Sequence, residues 1–334
     1  MRSLATLVGL ILFVASCSDA RPDARPVEFT IPDGAAFSEV TDTLAARDLV
    51  AFPTGFRLLA RVRGNDRGVR AGRYRVASDI GWLPLLDELV AGRVVTLPMT
   101  IPEGYTLRQI APRISEISDL SLEEVEALLK DPDAAETWGV PGPTLEGYLF
   151  PDTYRFTPGA APDDVIAGMV ERYLQFWTDE RRRQASELGL SEREVATLAS
   201  IVQAEARRTE EMPTIAGVFH NRLAIGYLLQ ADPTVQYALE ERQQRLLYSH
   251  IDSVSNHPYN TYTQPGLPPG PIGSPGEAAL QAALEPADVE YLYFVARPDG
   301  SHIFTSSLQE HNRARVEARR EWVDWEREDT MGGD

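Results

Sequence analysis

One cysteine and one lysine in 334 residues remove several chemistries at once. Cys17 alone cannot build a cysteine-rich zinc site, and none of the five histidines (His220, His250, His257, His302, His311) falls in an HExxH pattern, so no metal is expected. Lys130 lies outside any GxxxxGK loop, and Ala127 stands three residues before it, which excludes both a phosphate-binding P-loop and an S-x-x-K nucleophile. Ser274, in Gly273-Ser274-Pro275-Gly276, lacks the G-x-S-x-G framing of a nucleophile elbow and reads as a turn or cap. Basic residues are also scarce: 32 against 50 acidic ones give a net charge of -18. Phosphate binding draws on clustered basic surface, no such cluster stands out, and a nucleic-acid partner is not expected. With 43% hydrophobic residues the chain is globular, and carboxylates are its main chemical resource. No cofactor is expected.

The most informative carboxylate is Glu205. Ser191 and Glu194 have the S-x-x-E spacing of a capping box, and they open a helical pattern predicted to run to about Arg208. Val195, Leu198, Ala199 and Val202 recur at steps of three and four, and the same apolar stripe continues to Glu205. An acid on such a stripe is either paired, with Arg207, Arg208 or a distant arginine, or used. Half-burial against apolar neighbours disfavours the ionised carboxylate, which describes a general acid. Both readings stand at this point.

Long apolar runs are missing too. Leu4 to Val14, behind a short basic start, is shorter than the roughly twenty residues of a membrane span, and reads as a signal or anchor segment. It ends in Val14-Ala15-Ser16-Cys17, which resembles a lipoprotein processing box and makes Cys17 a candidate lipidation site. A polar, proline-containing linker follows from 18 to 26. Phe29-Thr30-Ile31-Pro32-Asp33-Gly34 then returns as Met99-Thr100-Ile101-Pro102-Glu103-Gly104. Each copy predicts strand, turn and helix, with further strands at 72–76 and 93–99 and a helix between them. The repeat is either a polymer-binding module or a packing scaffold. From about residue 145 the texture changes to longer helices and Pro/Gly-rich loops: a long helix over 162–187, the Glu205 helix, one beginning near Pro213, a hairpin at 291–305 and a last helix to about Glu326.

The strings LEGYLFPDTY from Leu145, LASIVQAEA from Leu198, NRL from Asn221, LQADPTVQY from Leu229, YNTY from Tyr259, GLPPGPIGSPG from Gly266 and YLYFV from Tyr291 occur in this order. Together they resemble the endolytic murein transglycosylases of the MltG (YceG-like) family over about residues 29 to 319. The resemblance implies an α+β protein with an N-terminal LysM-like region, 27–144, and a mainly helical lysozyme-like catalytic domain with a small hairpin, 145–328, before a tail at 329–334. It implies a membrane-tethered lyase in the periplasm, held in the inner membrane by its N-terminus or through Cys17, which cuts within peptidoglycan strands and stands near cell-wall synthases. The catalytic acid would be Glu205. Gln203 departs from an acidic residue common in relatives, but lies about 200° around the helix from Glu205. Gln230, Asp232, Asn260, Tyr262 and Glu146 would line the sugar groove, with His302 and Asn221 as weaker candidates; turn, cap or bracing roles are the plainer readings of several of these residues. Two alternatives remain: a hydrolase in which Asp232 or Glu146 places a water, and a non-catalytic peptidoglycan-binding lipoprotein.

Overall fold

Alternation of apolar and polar residues sets the first strand, β1 (Pro26–Ile31), with Phe29 and Ile31 buried on one face. In the computed structural model, which describes residues 24–239, 243 and 246–331, β1 pairs antiparallel with β2 (Gly72–Ala77). The anchor segment with Cys17 and the linker up to residue 23 lie outside the described residues. Phe29 stands opposite Tyr74, their rings stacked at 5.5 Å, and the Tyr74 hydroxyl donates to the carbonyls of Arg70 (2.6 Å) and Leu89 (3.2 Å). Helices α1 (Phe37–Ala45), α2 (Pro53–Arg63) and α3 (Trp82–Ala91) close this core with Val40, Leu44, Phe56, Ala60, Leu85, Leu86 and Leu89. Pro53 suits the first turn of α2, and Gly64 ends it at a positive φ of 71°. Strand, two helices and returning strand thus make one small unit.

The described residues form two compact units, the first running up to residue 97 with 155–158 and the second comprising 98–154 and those from 159 onward. The division falls earlier than the change of texture near 145, and it runs through the paired strands β3 (Leu97–Thr100) and β4 (Thr153–Phe156). Between those strands lie α4 (Leu107–Ile117), α5 (Leu122–Leu129) and α6 (Ala134–Thr137). Both copies of the repeat therefore form strand, turn and helix. Gly34 and Gly104 occupy equivalent turn positions at φ 68° and 77°, a backbone region that side chains avoid.

The rest of the second unit is mainly helical. The single helix expected over 162–187 is two, α7 (Pro162–Phe176) and α8 (Asp179–Glu187). Thr178 begins α8 by accepting from the Arg181 N–H, and the Arg181 guanidinium reaches back to the Phe176 carbonyl (2.6 Å), satisfying the open end of α7. The helix α9 (Glu192–Glu205) has its expected capping box but ends at Glu205, where Ala206 turns extended with ψ 127°, three residues short of Arg208. Residues 195 to 202 of α9 are all buried, and α9 packs against α10 (Met212–Ala224) and α13 (Glu277–Leu284). The short helices α11 (Asp232–Ala238) and α12 (Tyr248–Ser253) come between these. The hairpin β5 (Tyr293–Ala296) and β6 (His302–Thr305) precedes α14 (Leu308–Met331). No helix among the described residues is long and apolar enough to cross a membrane.

Candidate active site

Glu205 is the last residue of α9, at the carbonyl end of a buried helix. The residue is half-buried, and protein atoms crowd its carboxyl group. The carboxyl group has no hydrogen-bond partner and no ion pair among the described residues. The neighbouring arginines are occupied elsewhere: Arg208 donates to the Asp299 carboxylate and carbonyl (both 2.9 Å), and Arg207 lies over the Trp322 ring at 5.9 Å. The ion-pair reading of Glu205 is therefore overturned. Loss of solvation, reinforced by the nearby negative charge of Asp232 and opposed by Arg222, pushes its pKa up to about 8. The negative end of the α9 dipole acts in the same direction.

Two loops carry the groups around it, and one buried threonine joins them. Thr261 accepts from the Ala231 N–H through its hydroxyl (3.0 Å) and from the Gln230 N–H through its carbonyl (3.0 Å), and its hydroxyl bonds that of Thr234 (2.8 Å). The LQADPT and YNTY strings are thus one structure. Within it Asp232 opens α11 with its side chain exposed, and accepts a short hydrogen bond from the Tyr262 hydroxyl. Tyr262 is half-buried; desolvation and the Asp232 carboxylate raise its pKa, and the charges of Glu205 and Arg222 bear on it too. Gln230 is exposed and held at φ 48°, a strained position for a residue with a side chain.

The remaining candidates are engaged with other partners. Asn260 is fully buried and does not face a groove: its amide donates to the carbonyls of Ile251 (2.9 Å) and Val254 (3.1 Å) and accepts from the Tyr262 N–H (3.0 Å). It fixes the loop that presents Tyr262. Glu146 is 6% exposed, and its oxygens accept from the Leu107 N–H at the start of α4 (3.0 Å) and from the Tyr237 hydroxyl (3.4 Å). Burial pushes its pKa up to about 7, but it braces a helix end and is not among the charges acting on Glu205. Asn221 donates to the carbonyls of Val289 and Tyr291, and His302 bonds Glu211 through its ring Nδ1 (2.7 Å) and its N–H (3.0 Å), so both hold the hairpin segment in place.

A profile of the YceG-like family matches residues 29–317. The chain belongs to the YceG-like family. It is 33% identical over 309 residues to the endolytic murein transglycosylase of Bacillus subtilis (strain 168), covering 86% of this chain and 84% of that protein. It is 30% identical over 317 residues to that of Streptococcus pneumoniae serotype 2 (strain D39), covering 85% of this chain but 56% of the longer pneumococcal protein. The crystal structure of a YceG-like protein from Listeria monocytogenes is similar, with a TM-score of 0.59 and 30% identity over 87% of this chain and 99% of that one.

Two residues beside this YceG-like site had no role assigned to them from the sequence, although Gln203 stood out there as a departure from relatives. Arg222 is buried, with Nε donating to the Leu292 carbonyl (2.6 Å) and Nη1 to that of Leu229 (2.5 Å), and its guanidinium lies between the rings of Tyr227 and Tyr293 at about 5.5 Å. It anchors the loop before Asp232 and sets a positive charge near Glu205. Gln203 accepts from the Gly276 N–H (3.0 Å), tying the Gly-Ser-Pro-Gly loop to α9. A Cβ at Gly276 would meet the Glu103 carboxylate at 2.1 Å, a contact that this exposed side chain can relieve by moving. Among the described residues, no three His, Cys, Asp or Glu side chains gather as a metal site would.

Proposed function

We propose that this chain is an endolytic peptidoglycan lytic transglycosylase, a lyase that cuts the β-1,4 bond between N-acetylmuramic acid and N-acetylglucosamine within glycan strands. Its family and the names of its relatives support the activity. The observation that carries the mechanism is an unpaired, half-buried Glu205, whose pKa desolvation and Asp232 push up. Protonated Glu205 gives its proton to the N-acetylglucosamine O4 as the bond from the muramic C1 breaks. The resulting carboxylate takes the proton of the muramic 6-hydroxyl, whose oxygen closes on C1 to form a 1,6-anhydro end. The nucleophile belongs to the substrate, so one acid serves both steps and no second carboxylate need hold a water.

Asp232, Tyr262 and the strained Gln230 form the rim from which sugar is contacted, with Asn260 and Arg222 positioning it. The strand-helix-helix-strand unit supports a LysM-like reading of the N-terminal region, and buried α9 with Glu205 at its end supports a lysozyme-like reading of the helical part. The substrate and the apolar run 4–14 together favour a tethered protein acting outside the cytoplasm, on strands being laid down by cell-wall synthases.

Digestion of purified peptidoglycan by the full chain, followed by mass spectrometry, tests the reaction. Anhydro ends are expected; reducing ends would establish a hydrolase instead. Glu205→Gln should lower turnover by about 10²–10⁴, the usual share of a general acid. A folded Glu205→Gln protein that cleaves at the parent rate would remove Glu205 from the mechanism.

A further inference from the structure

The net charge of the chain hides a local excess of the opposite sign. Residues 24–97 hold ten arginines against nine acidic residues, so the first unit is net positive while the chain as a whole is at -18. The excess is concentrated between residues 57 and 75, where seven arginines face one acid, Asp66, a local cluster that the charge balance of the whole chain conceals and that corrects the expectation of none. Four of the seven are paired with three acids: Arg57 with Asp42, Arg63 with Asp87, and Arg73 and Arg75 both with Glu28. Arg61, Arg67 and Arg70 are exposed and have no acidic partner among the described residues.

Arg61 adjoins an apolar strip that the core does not use. On α2, Phe56 and Ala60 face inward, whereas Leu58 and Val62 point away from them and are 63% and 78% exposed. Gly55 lies on the same outer face, three residues before Leu58, and the Phe52 ring covers it: a Cβ there would meet that ring at 2.5 Å. Phe52 is itself 62% exposed. Phe52, Leu58 and Val62 thus form one apolar strip with Arg61 beside it, and Arg67 and Arg70 follow in the loop after α2. A helix that buries one face and shows apolar side chains and a free arginine on the other, followed by a loop with two more free arginines, matches a surface that is apolar below and anionic above.

We propose that the outer face of α2, with Arg61, Arg67 and Arg70, rests on the anionic headgroups of the membrane that tethers the chain. The proposal rests on the tethered reading of the N-terminus. Eight residues separate Cys17 from β1, a reach of at most about 28 Å at 3.5 Å each, so the first unit is confined to the neighbourhood of the bilayer. Within that distance arginines gain from the negative surface potential, and Phe52, Leu58 and Val62 gain by entering the headgroup boundary. The acidic remainder of the chain gains nothing from such a surface.

The full chain is to be floated with vesicles of phosphatidylcholine alone and of phosphatidylcholine mixed with phosphatidylglycerol, and amide exchange of 53–63 followed on each. Flotation with phosphatidylcholine alone reports the N-terminal tether. Slower exchange in α2 on the phosphatidylglycerol vesicles, reversed by high salt, is the expected sign of the face. The triple variant Arg61→Gln, Arg67→Gln, Arg70→Gln should weaken the phosphatidylglycerol-dependent part about a hundredfold, a factor of about five for each cation. Leu58→Ser with Val62→Ser should abolish the protection while leaving the salt dependence of flotation. Equal exchange in α2 on both lipids, or protection by soluble murein fragments and not by lipid, would overturn the proposal. Loss of flotation on phosphatidylcholine with the phosphatidylglycerol effect intact would remove the tether and leave the face.

Discussion

A carboxylic acid that stays protonated at neutral pH needs low solvation, no donor to its ionised form and a negative neighbour, and Glu205 has all three. Cleavage should therefore fall as pH rises through about 8, where the acid form is lost. Replacing Asp232 with Asn removes the like charge, so the alkaline limb should move to lower pH; an unmoved pH profile would show that Asp232 does not act on Glu205. The same shift predicts a stability effect. The unfolded carboxyl ionises near 4.5 and the folded one near 8, so Glu205 costs no stability below the lower value, costs progressively more between them, and costs its full amount above 8. Glu205→Gln should raise Tm at pH 9 and lose that advantage by pH 4, as thermal scans can check. Glu205 was legible in the sequence because it interrupts an apolar period. Arg222 was not, because its role depends on two carbonyls, Leu229 and Leu292, of which the second lies seventy residues away.

Elements here are bounded by contacts made after the chain has folded. The start of α9 was readable, since Ser191 and Glu194 are local partners: the Ser191 hydroxyl accepts from the Glu194 N–H. Its end was not, because neither glycine nor proline marks Ala206. The break between α7 and α8 is similar: Thr178 followed by Asp179 and Glu180 is a helix-start signal, but Arg181, lying over the Phe176 ring at 4.0 Å, makes the break stable. The two loops that carry Asp232 and Tyr262 show the same dependence, because both hang on Thr261. Thr261→Val keeps the shape but leaves the Ala231 N–H and the Thr234 hydroxyl without this partner. It should cost about 1–3 kcal/mol of stability and lower turnover by displacing Asp232 and Tyr262 together. Urea unfolding and murein assays measure the two effects, and an unchanged turnover would mean that the loops are held by other contacts.

At the scale of the whole molecule, the repeat was legible and the boundary was not. The sequence shows two Pro-acid-Gly turns seventy residues apart, which suggests that both copies belong to one region, yet the second turn joins the helical unit. The reason is specific: the Gly104 N–H donates to the Ser274 carbonyl (2.7 Å) and the Ser274 N–H to that of Tyr105 (2.8 Å), so the second turn is bonded to the loop that Gln203 ties to α9. The first copy builds its own core instead, drawn wholly from residues 27 to 94. Separate cores predict separate responses to core damage. Leu86→Ala empties a fully buried site in the first unit and should cost about 2–5 kcal/mol there, raising amide exchange in β1, β2 and α1 to α3 while α9 keeps its protection. Leu198→Ala, equally buried on α9, should do the reverse. If hydrogen exchange showed both variants loosening the same amides by the same amount, the two units would unfold as one cooperative body, and the second turn's bonds to Ser274 would not be what separates the copies.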